Sequence, residues 1–251
     1  MFRSLRTRHR SALLALALAA GVLAAPASAS ALTVSAAASL RDVLPKIDGS
    51  PTYNFAGSDA LALQIRNGAP ADVFLSANLS IPTQLFKDGL CSKPRVFATN
   101  VVVMVTPTAN PAGIKTVYDL GRGERKRLAI GSATVPIGIY TRSVLGRLGL
   151  SRALRINTVS SEANVTSVLA KVRAATADAG FVYVTDWLAA RNDVKRFNLP
   201  KFAQPPVRYG MCIVKRDGVD TAAANTFMRK VLGPAGRKQL RAFGFGVPKL
   251  S

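Results

Sequence analysis

The side chains best placed to do chemistry in this sequence are hydroxyls and a carboxamide at the ends of short apolar runs, where a strand passes into a helix. Ser39 follows the run 32–38 as a prospective helix cap, and Asp42 stands three residues later, a short version of the capping box. Ser58 follows a run that ends at Phe55 and turns at Gly57, and it too is placed to cap a helix, one carrying Leu61 and Ile65. Between residues 128 and 149, Pro136 suits the first helical position. Ile137, Tyr140, Val144, Leu145 and Leu148 then form an apolar stripe. Asn164 is the natural N-cap of a further helix whose apolar face is Val165, Val168, Leu169 and Val172. Each of these groups taken alone reads as an ordinary cap. Together they describe an anion site, because open α/β sheets bind ligands at the carboxyl ends of their strands. A helix start there presents unpaired N–H groups and the positive end of its dipole. Tyr183, on the run 179–184, either turns its phenol into such a cleft or is a core tyrosine with a satisfied hydroxyl.

Most catalytic chemistry is excluded by what is missing. The single histidine, His9, sits in a leader segment, so the remaining chain has no Ser-His-Asp triad, no Cys-His pair and no imidazole metal ligand. A serine nucleophile at Ser39 or Ser58 would need another base, and Lys46 is the lysine nearest Ser39 in sequence. The two cysteines, Cys91 and Cys212, cannot build a zinc site alone. In an oxidising compartment they form one disulfide, or else they are two separately buried thiols.

The leader is legible in its pattern. Arg3, Arg6, Arg8 and Arg10 precede an apolar stretch, 13–25, that is shorter than the roughly 20 residues a membrane-spanning helix needs. Ala27-Ser28-Ala29 supplies the small-x-small site of a signal peptidase, so export and cleavage after Ala29 are expected, with no membrane span thereafter. Losing four arginines lowers the net charge from +21 to about +17. The basic residues are scattered apart from 122–127, which reads as a solvated loop, so nucleic acid is disfavoured and the excess suits an anionic surface or a small anionic ligand. Short apolar runs alternate with helical patterns through the rest of the chain, the signature of βα units around a mainly parallel sheet.

The same segments carry a resemblance to a known family. AAASL at 36–40, GSDALALQI at 57–65, GAPADVFLSA at 68–77, NVVVMVTP at 100–107, VPIGIY at 135–140 and DAGFVYVTD at 178–186 follow in order. In sequence and spacing, residues 32–245 resemble the periplasmic molybdate-binding proteins of bacterial ABC importers, within the type II substrate-binding superfamily. The resemblance implies that an oxyanion is held by the hydroxyls of Ser39 and Ser58, the backbone amides of Ile137 and Val165, and the hydroxyl of Tyr183. These groups would contact the oxygens around the molybdenum or tungsten, not the metal itself. Two positions depart from the pattern: Asp59 stands where a small uncharged residue is usual, and Ile137 is bulkier than expected.

The expected architecture is therefore an α/β protein of two lobes, each a mainly parallel sheet flanked by helices, joined by two hinge crossovers. Lobe 1 is expected to comprise 30–106 with 208–251, and lobe 2 to comprise 107–207. The expected function is extracytoplasmic capture of molybdate or tungstate and delivery to an ABC permease, by a monomer that is not an enzyme and uses no cofactor. A binder of sulfate, phosphate or a small carboxylate on the same fold is the nearest alternative, which a bidentate arginine such as Arg66 would favour. An exported hydrolase with a non-histidine base is a remote one.

Overall fold

A computed structural model describes residues 31–249. The expected leader and its cleavage position lie outside the described residues. Ten strands run in chain order: β1 (Thr33–Ala37), β2 (Thr52–Ala56), β3 (Val73–Ser76), β4 (Arg95–Asn100), β5 (Val102–Pro107), β6 (Leu128–Gly131), β7 (Thr158–Glu162), β8 (Ala179–Tyr183), β9 (Val194–Asn198) and β10 (Val207–Ile213). The α-helices are α1 (Leu44–Ile47), α2 (Ser58–Arg66), α3 (Ser80–Lys87), α4 (Pro136–Arg147), α5 (Ser151–Asn157), α6 (Val165–Arg173), α7 (Val184–Ala189), α8 (Thr221–Leu232) and α9 (Pro234–Ala242).

The strands form two five-stranded sheets with the same plan, ordered β2-β1-β3-β10-β4 and β7-β6-β8-β5-β9. Three strands of each are parallel, and the fourth position is taken by a strand arriving from the other lobe, antiparallel to both its neighbours. Central strands covered on both faces should read as continuous apolar runs. β8 (AGFVY) and β5 (VVMVTP) do so, and every residue in them is buried. The helix stripes also match: Val165, Val168, Leu169 and Val172 of α6 are buried, as are Ile137, Val144 and Leu145 of α4. Pro45 sits in the first turn of α1, which is only four residues long. The C-terminal α8 and α9 pack on α1 and β10 and so belong to the first lobe.

One boundary differs from the sequence reading. Lobe 1 was expected to run to residue 106, but β5 pairs with β8 and β9, so the chain leaves the first sheet at Val101. The apolar run at 100–107 is equally suited to either sheet, and pairing rather than composition decides where it lies. The return crossover lies between β9 and β10. The two crossovers run side by side. Asn100 pairs with Val207 in the β4–β10 ladder. Gln204 clamps Val102 in both directions, donating to its carbonyl at 2.8 Å and accepting from its N–H at 3.3 Å.

Among the described residues no helix is long and apolar enough to cross a membrane. Cys91 and Cys212 are both buried and not joined by a disulfide, but they are not separate, since they share one apolar cluster.

Candidate functional site

The lobes meet over a small cavity of about 20 Å³ lined by Ser39 and Gly57 from the first lobe and Ile137, Val165 and Tyr183 from the second. Room for one water takes roughly 10–15 Å³ on the same measure, so the space suits a compact ligand rather than a sugar or a peptide. Four of the five expected site residues thus line one cavity although they lie as much as 144 positions apart in sequence. The fifth, Ser58, stands just behind the wall. It is buried, and its Oγ accepts the N–H of Ala77, itself a lining residue, at 3.1 Å.

Two local readings need correction. Ser39 was expected to cap a helix, but the turn it occupies (Ala38–Leu40) is 3-10, starts at Ala37 and has no side-chain cap. Ser58 was expected to cap α2, but it is the first residue of that helix, with Gly57 at the N-cap. The physical reason is competition between partners. Tyr209 holds Ser39 Oγ at 2.9 Å and Ala77 holds Ser58 Oγ, so neither hydroxyl serves its own helix. The consequence favours binding. No side chain caps α2 or α4, so their first N–H groups, which at α4 begin with Ile137 because Pro136 has none, are not taken by a cap. At α6 the Asn164 side chain accepts from Ser167 N–H as the sequence indicates, which leaves the Val165 amide unoccupied by the cap.

Two side chains brace this arrangement without being apparent from the sequence. Arg142, midway along α4, donates to the carbonyls of Gly131 at 2.9 Å and Gly138 at 3.0 Å, fixing the β6–α4 turn. Burial draws its pKa down, but an arginine keeps its charge. Tyr209 belongs to β10, which reads in sequence only as a returning strand; its partner Ser39 is 170 residues away, and no local pattern announces the pair. The side chain of Ile137 is accommodated by Gly131, where an added Cβ would lie 2.7 Å from Ile137 Cγ2.

Tyr183 is the most informative group. It is almost completely buried, and its hydroxyl has no hydrogen-bond partner among the described residues. An orphaned buried hydroxyl costs about 1–3 kcal/mol, so its place on the cavity wall calls for a ligand. Burial, with the nearby Tyr209 and Tyr140, drives its pKa well above the usual phenol value, so it remains a donor. Tyr183→Phe is expected to leave the anion-free protein as stable as before or more so, while weakening anion binding about tenfold or more. Thermal melts with and without anion measure both effects, and a large loss of stability without anion would show the hydroxyl to be structural.

Asp59 does not line the cavity. Its carboxylate reaches the second lobe and accepts from Thr134 Oγ1 at 2.5 Å. Arg66 pairs with Asp88 at 3.1 Å and does not line the cavity, and no other arginine does. Lys46 is exposed on α1, so the group in contact with Ser39 is a phenol and not a lysine.

Residues 32–246 match the family described as bacterial extracellular solute-binding protein. The chain belongs to that family. This solute-binding protein is 36% identical over 230 residues to the molybdate-binding protein ModA of Mycobacterium tuberculosis, covering 88% of this chain and 86% of the relative. It is 30% identical over 237 residues to ModA of Haemophilus influenzae, covering 87% and 91%. In fold it is similar to the periplasmic molybdate-binding protein of Azotobacter vinelandii, with a TM-score of 0.78 at 24% identity, over 87% of this chain and all of that one.

Proposed function

We propose that this solute-binding protein captures molybdate or tungstate outside the cytoplasmic membrane and delivers it to an ABC permease. It would act as a monomer after cleavage at Ala29, with the anion as cargo, no cofactor and no chemistry on the ligand. The observation that carries the reading is the unpartnered Tyr183 hydroxyl, buried on a cavity that also receives the starts of α4 and α6. The named relatives, molybdate-binding proteins by description, supply the identity of the anion.

The donors would be Ser39, Ser58 and Tyr183 through their hydroxyls and Ile137 and Val165 through their amides. Ser58 already accepts from Ala77, so its proton is left to give. A set made of donors alone suits an anion with no proton of its own. Monohydrogen phosphate would bring a proton that finds no acceptor there, a cost of about 1–3 kcal/mol. Sulfate lacks that proton, so its rejection falls to cavity size.

Calorimetry of anion-stripped protein against molybdate, tungstate, sulfate and phosphate tests the proposal. Tight binding of molybdate and tungstate is expected. Tight sulfate binding with no response to molybdate would overturn the assignment. Ser39→Ala and Ser58→Ala should each remove a charge-assisted hydrogen bond, worth about 1.5–3 kcal/mol, or about 10- to 150-fold in Kd. If both bind molybdate as the parent protein does, the site lies elsewhere.

A further inference from the structure

Ser39 Oγ lies 2.9 Å from Tyr209 Oη, and geometry alone leaves open which oxygen donates. The surrounding hydrogen bonds settle the direction. Asn100 Oδ1 accepts the N–H of Val101 at 2.9 Å, which fixes the orientation of its carboxamide. Its Nδ2 therefore donates, at 3.0 Å to Thr185 Oγ1 and at 3.3 Å to Tyr209 Oη. Tyr209 is fully buried, so its own proton must find an acceptor. The neighbouring phenol of Tyr183 makes no hydrogen bond among the described residues and does not serve. Ser39 Oγ is the acceptor that remains. With that lone pair occupied, the Ser39 proton is left for an acceptor other than Tyr209, and Ser39 lines the cavity.

We propose that Tyr209 is a positioning residue of the anion site, acting with Asn100 as a one-way hydrogen-bond relay that makes Ser39 a donor to the bound anion. This rests on the reading of Ser39 as an anion ligand. The relay starts at the hinge. Asn100 is the last residue of β4 before the crossover, Tyr209 lies in the strand that returns beside it, and Thr185 belongs to the second lobe. Serine orientation is thus tied to the contact between lobes. A relay of this kind also polarises each member, since a hydroxyl that accepts is a better donor.

A double-mutant cycle tests the proposal, with molybdate as the probe and calorimetry as the readout. Tyr209→Phe keeps the ring that packs edge-on against Phe97 and Phe245 and removes only the hydroxyl. In the parent background it should weaken molybdate binding about fivefold, the scale of one neutral hydrogen bond. In the Ser39→Ala background, where no serine remains to be oriented, the same change should have no further effect beyond about twofold. Equal losses in both backgrounds would mean that Tyr209 acts through general packing, and no loss in the parent would remove the relay. Should Tyr209→Phe fail to fold, Asn100→Ala in the same two backgrounds reads the same coupling. If Ser39→Ala itself binds molybdate normally, the site assignment fails, and the relay with it. If Ser39→Ala weakens binding while Tyr209→Phe does not, the relay alone fails.

Discussion

Gly57→Ala is expected to weaken anion capture by about 10- to 100-fold while leaving the folded, anion-free protein almost unaffected. The backbone at Gly57, with φ −61° and ψ 138°, is open to any residue, so the cost is not local strain. A Cβ there would lie 2.3 Å from the carbonyl oxygen of Ala163, in the opposite lobe. It would also come within 2.9 Å of Asp59 Oδ1, the end of a side chain able to rotate away. The obstruction therefore falls on the approach of one lobe to the other and not on either lobe's interior. Overpacking of that kind costs about 1–3 kcal/mol, and here the whole of it would be charged to closure. Calorimetry gives the affinity, and a urea melt without anion gives the stability. Gly138→Ala is the contrasting control. Its Cβ would meet the carbonyl oxygen of Ser132 at 1.8 Å and that of Gly131 at 2.4 Å, within the same lobe, so it should damage the fold itself. If Gly57→Ala binds molybdate normally, the lobes do not close as described.

The second large effect concerns acid. Burial, reinforced by the charge of Asp42, pushes the Asp186 carboxyl up to about 7, although it accepts the N–H of Tyr183 at 2.9 Å. A carboxyl in the unfolded chain titrates near 3.8. The folded state thus holds the proton more tightly, and this contribution to stability is fully present below about 3.8. It is lost as pH rises from there through about 7, and the total change is on the order of 4 kcal/mol. Urea unfolding should find the protein more stable at pH 5 than at pH 8 if other groups contribute less. Asp186→Asn keeps a carbonyl for the Tyr183 amide and removes the charge, so it should flatten that slope and stabilise the protein most above pH 7. An unchanged slope in the variant would assign the pH dependence to another group.

The parts of this molecule legible in its sequence are those governed by neighbours a few residues away. The Asn164 cap, Pro136 at the start of α4, the buried runs of β5 and β8 and the stripe of α6 all depend on local chemistry, and each is found where expected. The roles of Ser39 and Ser58 as caps were misread for the complementary reason. Their hydroxyls are committed to Tyr209 and to Ala77, across the sheet and far along the chain. Strand membership failed likewise at β5, since an apolar run does not state which sheet will take it. Four of the five residues suggested by resemblance line the cavity and Ser58 stands behind its wall, but the braces behind them do not show in the sequence. Arg142, Asn100 and Tyr209 look like any surface arginine, turn asparagine and strand tyrosine until their partners are in place.

The paired crossovers carry a mechanical implication. A lone connecting segment would act as a swivel and let the lobes twist as freely as they part. Here two segments lie abreast, Asn100 against Val207, and Gln204 fastens one to the other at Val102. A ribbon two strands wide bends easily across its flat face and resists torsion, so it works as a door hinge with a single axis. The lobes should then open as covers of a book, and opening must part Asp59 from Thr134, whose hydrogen bond joins one lobe to the other.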